Sequence, residues 1–260
     1  MTVPLHDQVA LVTGAAGAIG QAICASLAAN GARVFCADID LEGARRLAAG
    51  LPGATALRMD VTDEAETAGG VERIVSTHGR LDLLVNNAGI NTMAHRVNID
   101  TFPAEEWDRI LRVDLTGPFL VSRAAAKPML AKGSGRIVNI ASVLGLVPAR
   151  LQCAYTAAKA GLVNLTRTMA IELGSKGVLT NCIAPGSILS EGTRKLFYGP
   201  DGTFNDRVQA MLSHVPLGRP GRPEEIAHTV LFLAAPGSSY INGAVIPVDG
   251  GWIAGYSRDF

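Results

Sequence analysis

The chain has 260 residues with 23 basic and 23 acidic side chains, so its formal net charge is zero. Hydrophobic residues make up 48% and charged residues only 18%, which is enough for a large core and gives no electrostatic footprint for a nucleic acid or an acidic membrane. Cys24, Cys36, Cys153 and Cys182 show no C-x-x-C or Cys/His ligand spacing, and no leader or membrane-spanning run is visible; the expectation is a cytoplasmic protein with a small-molecule substrate, no metal, no nucleic acid and no membrane partner.

Val9–Thr13 is a short apolar run that reads as a buried strand. The glycine-rich turn from Gly14 through Gly17 to Gly20 follows and leads into a helical pattern over Gln21–Asn30, with Gly31 as its stop. Backbone in such a turn can approach a diphosphate, and the helix N-terminus favours the negative charge. Arg33–Ala37 is a second strand that ends at Asp38. Asp38 has two readings: the N-cap of the next helix, or an acceptor for the ribose hydroxyls of an adenosine. The second reading favours NAD over NADP, because an acid repels a 2′-phosphate and neither Gly17 nor Ile39 offers a cation.

Leu41–Ala49 is a helix, Thr55–Met59 a strand ending at Asp60, and Glu64–Thr77 a helix. Asp60 is either a cap or a contact to the adenine amino group. Leu81–Val85 is a fourth strand, stopped by Asn86-Asn87-Ala88-Gly89. Glu105–Ala131 is long and helical with a break near its start. Gly135–Ala141 is a strand, Cys153–Gly174 a helix, Val178–Ala184 a strand, Pro223–Ala234 a helix and Ala244–Val248 the final strand. This alternation predicts an α/β fold with a parallel, doubly wound sheet, in one domain spanning 1–260. Ile90–Pro103 and Ser187–Pro220 interrupt the alternation, and both follow strands. Long insertions at the carboxyl edge of an open sheet build or cover a site, so 190–220 is expected to be a substrate lid.

Ser142 ends the Gly135–Ala141 strand, and Tyr155 and Lys159 stand one turn apart on one face of the following helix. A free phenol, with a pKa near ~10, is a poor base at neutral pH; an ammonium one turn away favours the phenolate. The serine hydroxyl can hold a substrate oxygen while the tyrosine moves its proton. The trio suits proton transfer at an alcohol or carbonyl.

Together Thr13-Gly14-x-x-x-Ala18-Ile19-Gly20, Asp60-Val61, Asn86-Asn87-Ala88-Gly89, Ser142, Tyr155-x-x-x-Lys159 and Pro185-Gly186 resemble the short-chain dehydrogenase/reductase family over nearly the whole chain. The resemblance implies a Rossmann-type domain with a seven-stranded parallel sheet and hydride transfer between a nicotinamide and a secondary alcohol or ketone. It implies Tyr155 as general acid/base, Lys159 on the nicotinamide ribose and Ser142 on the substrate oxygen. It places Gly14, Gly17, Ile19, Gly20, Asp38, Asp60, Val61, Asn87, Ala88, Gly89, Pro185, Gly186, Ile188 and Ser190 along the cofactor. Two positions depart from the family pattern. Ala18 stands where glycine is usual. Asp114, in Arg112-Val-Asp-Leu-Thr-Gly-Pro118, stands where the family carries a fourth catalytic asparagine. Asp114 either stabilises the charged lysine within a proton relay or only breaks or caps its helix.

Asn91, Thr92, His95, Arg96, Leu144, Arg150 and Gln152 surround the expected substrate position. Their polar capacity suits a sugar, polyol or sugar acid, and Arg96 or Arg150 could hold a carboxylate. The tail 250–260 carries Trp252, Tyr256 and Phe260, poor choices for a free end. The resemblance implies a homotetramer built on the long helices, where Ala154, Ala157, Ala158, Ala160 and Gly161 permit close approach, with the tail reaching a neighbour. Three functions compete: an NAD-linked polyol or sugar dehydrogenase, an NADPH-linked 3-oxoacyl-thioester reductase, and a nucleotide-sensing protein without catalysis.

Overall fold

The computed structural model describes residues 2–92, 94–189, 208 and 212–255. Seven parallel strands form one sheet in the order β3-β2-β1-β4-β5-β6-β7. They are β1 Val9–Thr13, β2 Arg33–Asp38, β3 Ala54–Arg58, β4 Leu83–Asn86, β5 Gly135–Ile140, β6 Val178–Pro185 and β7 Val245–Val248. The central strands β1 and β4 are buried along their whole length. A parallel sheet covered on both faces selects continuous apolar runs, which is why Val9–Thr13 reads as it does.

Helices cover both faces. On one side α1 Ala18–Ala29 packs against α7 Pro223–Ala234. Ile23, Leu27, Val34, Ile226 and Val230 form the core there. On the other side lie α3 Glu64–His78 and α5 Gly117–Lys132, packed over Leu11, Phe35, Leu84 and Ile137. Further helices among the described residues are α2 Leu41–Ala49, α4 Ala104–Leu111 and α6 Cys153–Gly174. The order of strands reverses direction between β1 and β4, so the crevice between their carboxyl ends is the switch point at which such sheets bind ligands.

Three details differ from the reading of the sequence. Helix α1 starts at Ala18 rather than Gln21, because Gly20 packs so closely on the preceding turn that an added Cβ would collide with the Gly14 carbonyl. The long helix of 105–131 is two helices joined by a π-helical segment, Arg112–Thr116. Ala154 and Ala158 are buried inside this chain against Ile110 of α4, so they are not free to form a contact between subunits.

The Ser187–Pro220 insertion leaves and returns at one point. Leu189 N–H donates to Gly221 O and Gly221 N–H to Ser187 O, both at 2.8 Å. Most of the expected lid, 190–207 and 209–211, lies outside the described residues, as do Ser190, Tyr256 and Phe260. Trp252 packs against Val208, Leu212 and Val215 of its own chain. No helix among the described residues is long and apolar enough to cross a membrane.

Candidate active site

The chain leaves β1 through Gly14, whose φ of +62° is in the left-handed region. A Cβ there would stand 2.7 Å from Ala88 Cα, so the turn after β1 and the turn after β4 meet backbone to backbone. Thr13 Oγ1 accepts from the N–H groups of Asn87 and Ala88, each at 3.1 Å. Asn87 Nδ2 donates back to the carbonyls of Thr13 and Gly14 at 3.0 and 2.9 Å. Gly17 is the N-cap of α1; no side chain caps it and the first turn holds no acid. The leading N–H groups of a twelve-residue helix therefore have no side-chain acceptor at the cavity. That arrangement fits the diphosphate of a dinucleotide.

A cavity of about 600 Å³ runs from there between Gly14, Gly17, Ala18, Ile19 and Gly20 on one wall and Asp60, Val61, Asn87, Ala88 and Gly89 on the other, with Asp38 at its end. Asp38 Oδ2 accepts from Ala16 N–H and Oδ1 from Asp40 N–H, both at 2.9 Å. The N-cap of α2 is Asp40, which accepts from Gly43 N–H, so the capping reading of Asp38 is corrected. The same holds for Asp60. It accepts from Thr62 N–H and Oγ1, while Asp63 caps α3. Arg109 and Val113 also line this cavity, and the sequence reading did not pick them out. The Arg109 guanidinium is held bidentately by Glu106 at 2.7 and 2.9 Å, so its charge is already matched. An i, i+3 pair on a helix looks like ordinary surface in a sequence.

A second cavity of about 410 Å³ shares Ile19, Asn87, Gly89, Ile90 and Ile188 with the first. It brings together Ser142, Tyr155, Lys159, Asp114, Pro185, Gly186 and Asn91. Ser142 follows β5 and caps a single 3₁₀ turn, its Oγ accepting from Leu144 N–H at 3.1 Å. That bond turns the hydroxyl toward the cavity and leaves its proton for another acceptor. Tyr155 and Lys159 lie one turn apart on α6. Lys159 is 4% exposed. Its Nζ donates to Ile140 O at 3.3 Å, lies 3.0 Å from Asp114 Oδ2, and stands 5.6 Å from the Tyr155 ring centroid. Burial pulls the Lys159 ammonium down, but Asp114, Tyr155 and Cys182 beside it together offset this and hold it above the usual lysine range.

Asp114 sits in the π-helical segment and is fully buried. Its Oδ1 accepts from Ile90 N–H at 2.8 Å. It caps no helix, but it lies in the segment that interrupts the α-helical path between Leu111 and Gly117. A π-turn adds a residue to the helical path and is a common device for turning side chains inward at functional sites.

The expected substrate residues divide. Asn91 lines the catalytic cavity and its Nδ2 donates to Gln152 Oε1 at 2.9 Å. Leu144 meets Ser142 through its backbone N–H. His95, Arg96 and Arg150 line neither cavity. Thr92 is buried and draws the loop inward: its hydroxyl accepts from His95 N–H and its carbonyl from Arg96 Nε. The His95 ring faces Glu106 at 3.9 Å. Arg150 is exposed to solvent.

A family profile described as enoyl-(acyl carrier protein) reductase matches residues 14–253. The chain is 40% identical to the 3-oxoacyl-(acyl-carrier-protein) reductase of Thermotoga maritima, covering 96% of this chain and 99% of that protein. It is 39% identical to the D-threitol dehydrogenase of Mycolicibacterium smegmatis, covering 95% and 94%. Among solved structures, that of gox2181 superposes with a TM-score of 0.89 at 33% identity, covering 96% of this chain and 97% of the other.

Proposed function

The chain belongs to the short-chain dehydrogenase/reductase family of NAD(P)-dependent oxidoreductases, and from that premise we propose that it interconverts a secondary alcohol and a ketone on a small polyhydroxylated molecule, with NAD as the cofactor. The observation that carries this reading is the meeting of Ser142, Tyr155 and Lys159 in a cavity continuous with the nucleotide crevice.

The α1 N-terminus and Gly14, Gly17 and Ile19 would hold the diphosphate, Asp38 the adenosine ribose, and Asp60 and Val61 the adenine. The nicotinamide, when bound, takes up or supplies the hydride. In alcohol oxidation Tyr155 Oη accepts the hydroxyl proton as the carbonyl forms. In reduction it returns that proton to the carbonyl oxygen. Ser142 Oγ donates to the same oxygen, and the Lys159 ammonium stabilises negative charge on the phenol. Asn91 lines the cavity and, with its Nδ2 bonded to Gln152, keeps its amide oxygen for a donor such as a hydroxyl group.

A second reading is reduction of a 3-oxoacyl thioester. Several similar proteins carry that activity in their names, and this resemblance favours it over the polyol reading. The D-threitol dehydrogenase supports the first reading, as does the Asp38 carboxylate, which disfavours a 2′-phosphate. Tyr155→Phe tests the chemistry common to both. Turnover should fall by ~10³-fold or more while NADH affinity stays within ~3-fold. A variant with near-normal turnover would remove the proton-transfer role of Tyr155.

A further inference from the structure

The buried Asp114 carboxylate faces one hydrogen-bond donor and one cation. Ile90 N–H donates to Oδ1 at 2.8 Å, and the Lys159 ammonium stands 3.0 Å from Oδ2 as an ion pair. Its side chain is fully buried and that of Lys159 is 5% exposed. Gly89 lies directly above the pair. A Cβ on it would stand 3.1 Å from Lys159 Nζ and 3.2 Å from Asp114 Oδ2, so the turn is seated on the ion pair.

This geometry selects a carboxylate. An amide of the same shape has one acceptor and one donor end. If its oxygen took the Ile90 N–H, its NH₂ would be turned toward the ammonium. If it were flipped, the Ile90 donor would lose its partner. Only a group with two acceptors serves both neighbours directly. We propose that Asp114 is a positioning residue that grips the Lys159 ammonium and the Gly89–Ile90 turn in one direct, water-free clasp, so that the catalytic lysine and the wall shared by the two cavities are fixed as a unit. The clasp rests on the proposed NAD-linked function, because Gly89 and Ile90 line the cofactor crevice.

The clasp has a consequence for pH. Burial alone disfavours the charged lysine, and Asp114 is the largest opposing influence. The other titratable groups that bear on the pair are Tyr155 on the same helix, Cys182 from β6 and Arg109 from α4. Tyr155 and Cys182 act on Lys159 in the same direction as Asp114 but less strongly. With Asp114 in place Lys159 keeps its proton into the alkaline range, where alcohol oxidation is favoured. With a neutral residue there, desolvation dominates and the proton is lost earlier.

The test compares NADH binding, read by nucleotide fluorescence between pH ~6 and ~10, for the native chain and Asp114→Asn. The native chain should hold a flat affinity over most of that range. The variant should bind ~10-fold more weakly at neutral pH and weaken further at a midpoint at least ~1 pH unit below the native one. Equal affinity with equal pH dependence in a folded variant overturns the proposal. If the native chain fails to bind NADH, the nucleotide-binding function itself is what fails, which separates the two failures. Hydrogen exchange on the native chain gives a second reading that does not depend on the variant's folding. The Ile90 amide should be protected without any nucleotide, and exchange at the rate of an open loop would overturn the clasp.

Discussion

Replacing Asp38 with asparagine separates the two charges that matter at the adenosine end of the crevice. The carboxylate is half-buried and accepts from the Ala16 and Asp40 amides, so its position is fixed. A doubly charged 2′-phosphate placed ~5 Å from it is repelled by several kcal/mol at an effective dielectric of ~20; discounted for solvent, the penalty is about 2–3 kcal/mol. That corresponds to a ~30- to 200-fold preference for NADH over NADPH in dissociation constant. Asp38→Asn removes the charge at constant shape and should lower the preference by ~30-fold or more. The same substitution should also reduce stability by about 1–3 kcal/mol, because one of the two backbone donors then faces an NH₂ group. Fluorescence titration with both reduced nucleotides measures the first effect, and urea unfolding the second. Native protein that binds NADPH as tightly as NADH, or a variant with an unchanged ratio, would refute the argument and favour the thioester reading.

Gly20→Ala should abolish nucleotide binding and destabilise the fold by ~2 kcal/mol or more, because the new methyl meets the Gly14 carbonyl and stands 2.8 Å from Ala15 Cα; calorimetry with NADH and thermal unfolding measure both. Arg109, first among its neighbours, holds the Glu106 carboxyl down from 4.5 to about 2. A depressed carboxyl contributes stability that is fully present above its unfolded value and is lost as pH falls through the folded value. The native chain should therefore lose this contribution between about 4.5 and 2. Glu106→Gln should be less stable at neutral pH and show a flatter acid limb in urea midpoints. Equal slopes for the two proteins would contradict the pairing.

The sheet and its order of elements were legible because strands buried on both faces leave mostly apolar runs, as in Val9–Thr13. The meeting of Ser142, Tyr155 and Lys159 was legible because Tyr155 and Lys159 keep a helical spacing and Ser142 follows a strand. The start of α1 was misplaced because Gly17 and Gly20 depress helix propensity, whereas the close contact of Gly20 with the Gly14 turn requires glycine. The expected break near the start of 105–131 proved to be a π-segment at Arg112–Thr116, whose type and place the helical pattern on both sides did not give. Two acids in Asp38-Ile39-Asp40 compete for one cap, and only the geometry gives it to Asp40. The polar residues of the 91–96 loop signalled a substrate site, yet His95 and Arg96 line neither cavity and are tied to buried Thr92.

The most direct measurement is absorbance at the NADH band with purified protein, in two arms. One arm supplies polyols, aldoses and sugar acids with NAD⁺ or NADP⁺. The other supplies a 3-oxoacyl thioester with NADH or NADPH. Turnover of a hydroxylated substrate with NAD⁺, lost in Tyr155→Phe, is the expected result. Turnover of the thioester alone, with NADPH, would contradict both the substrate class and the role given to Asp38.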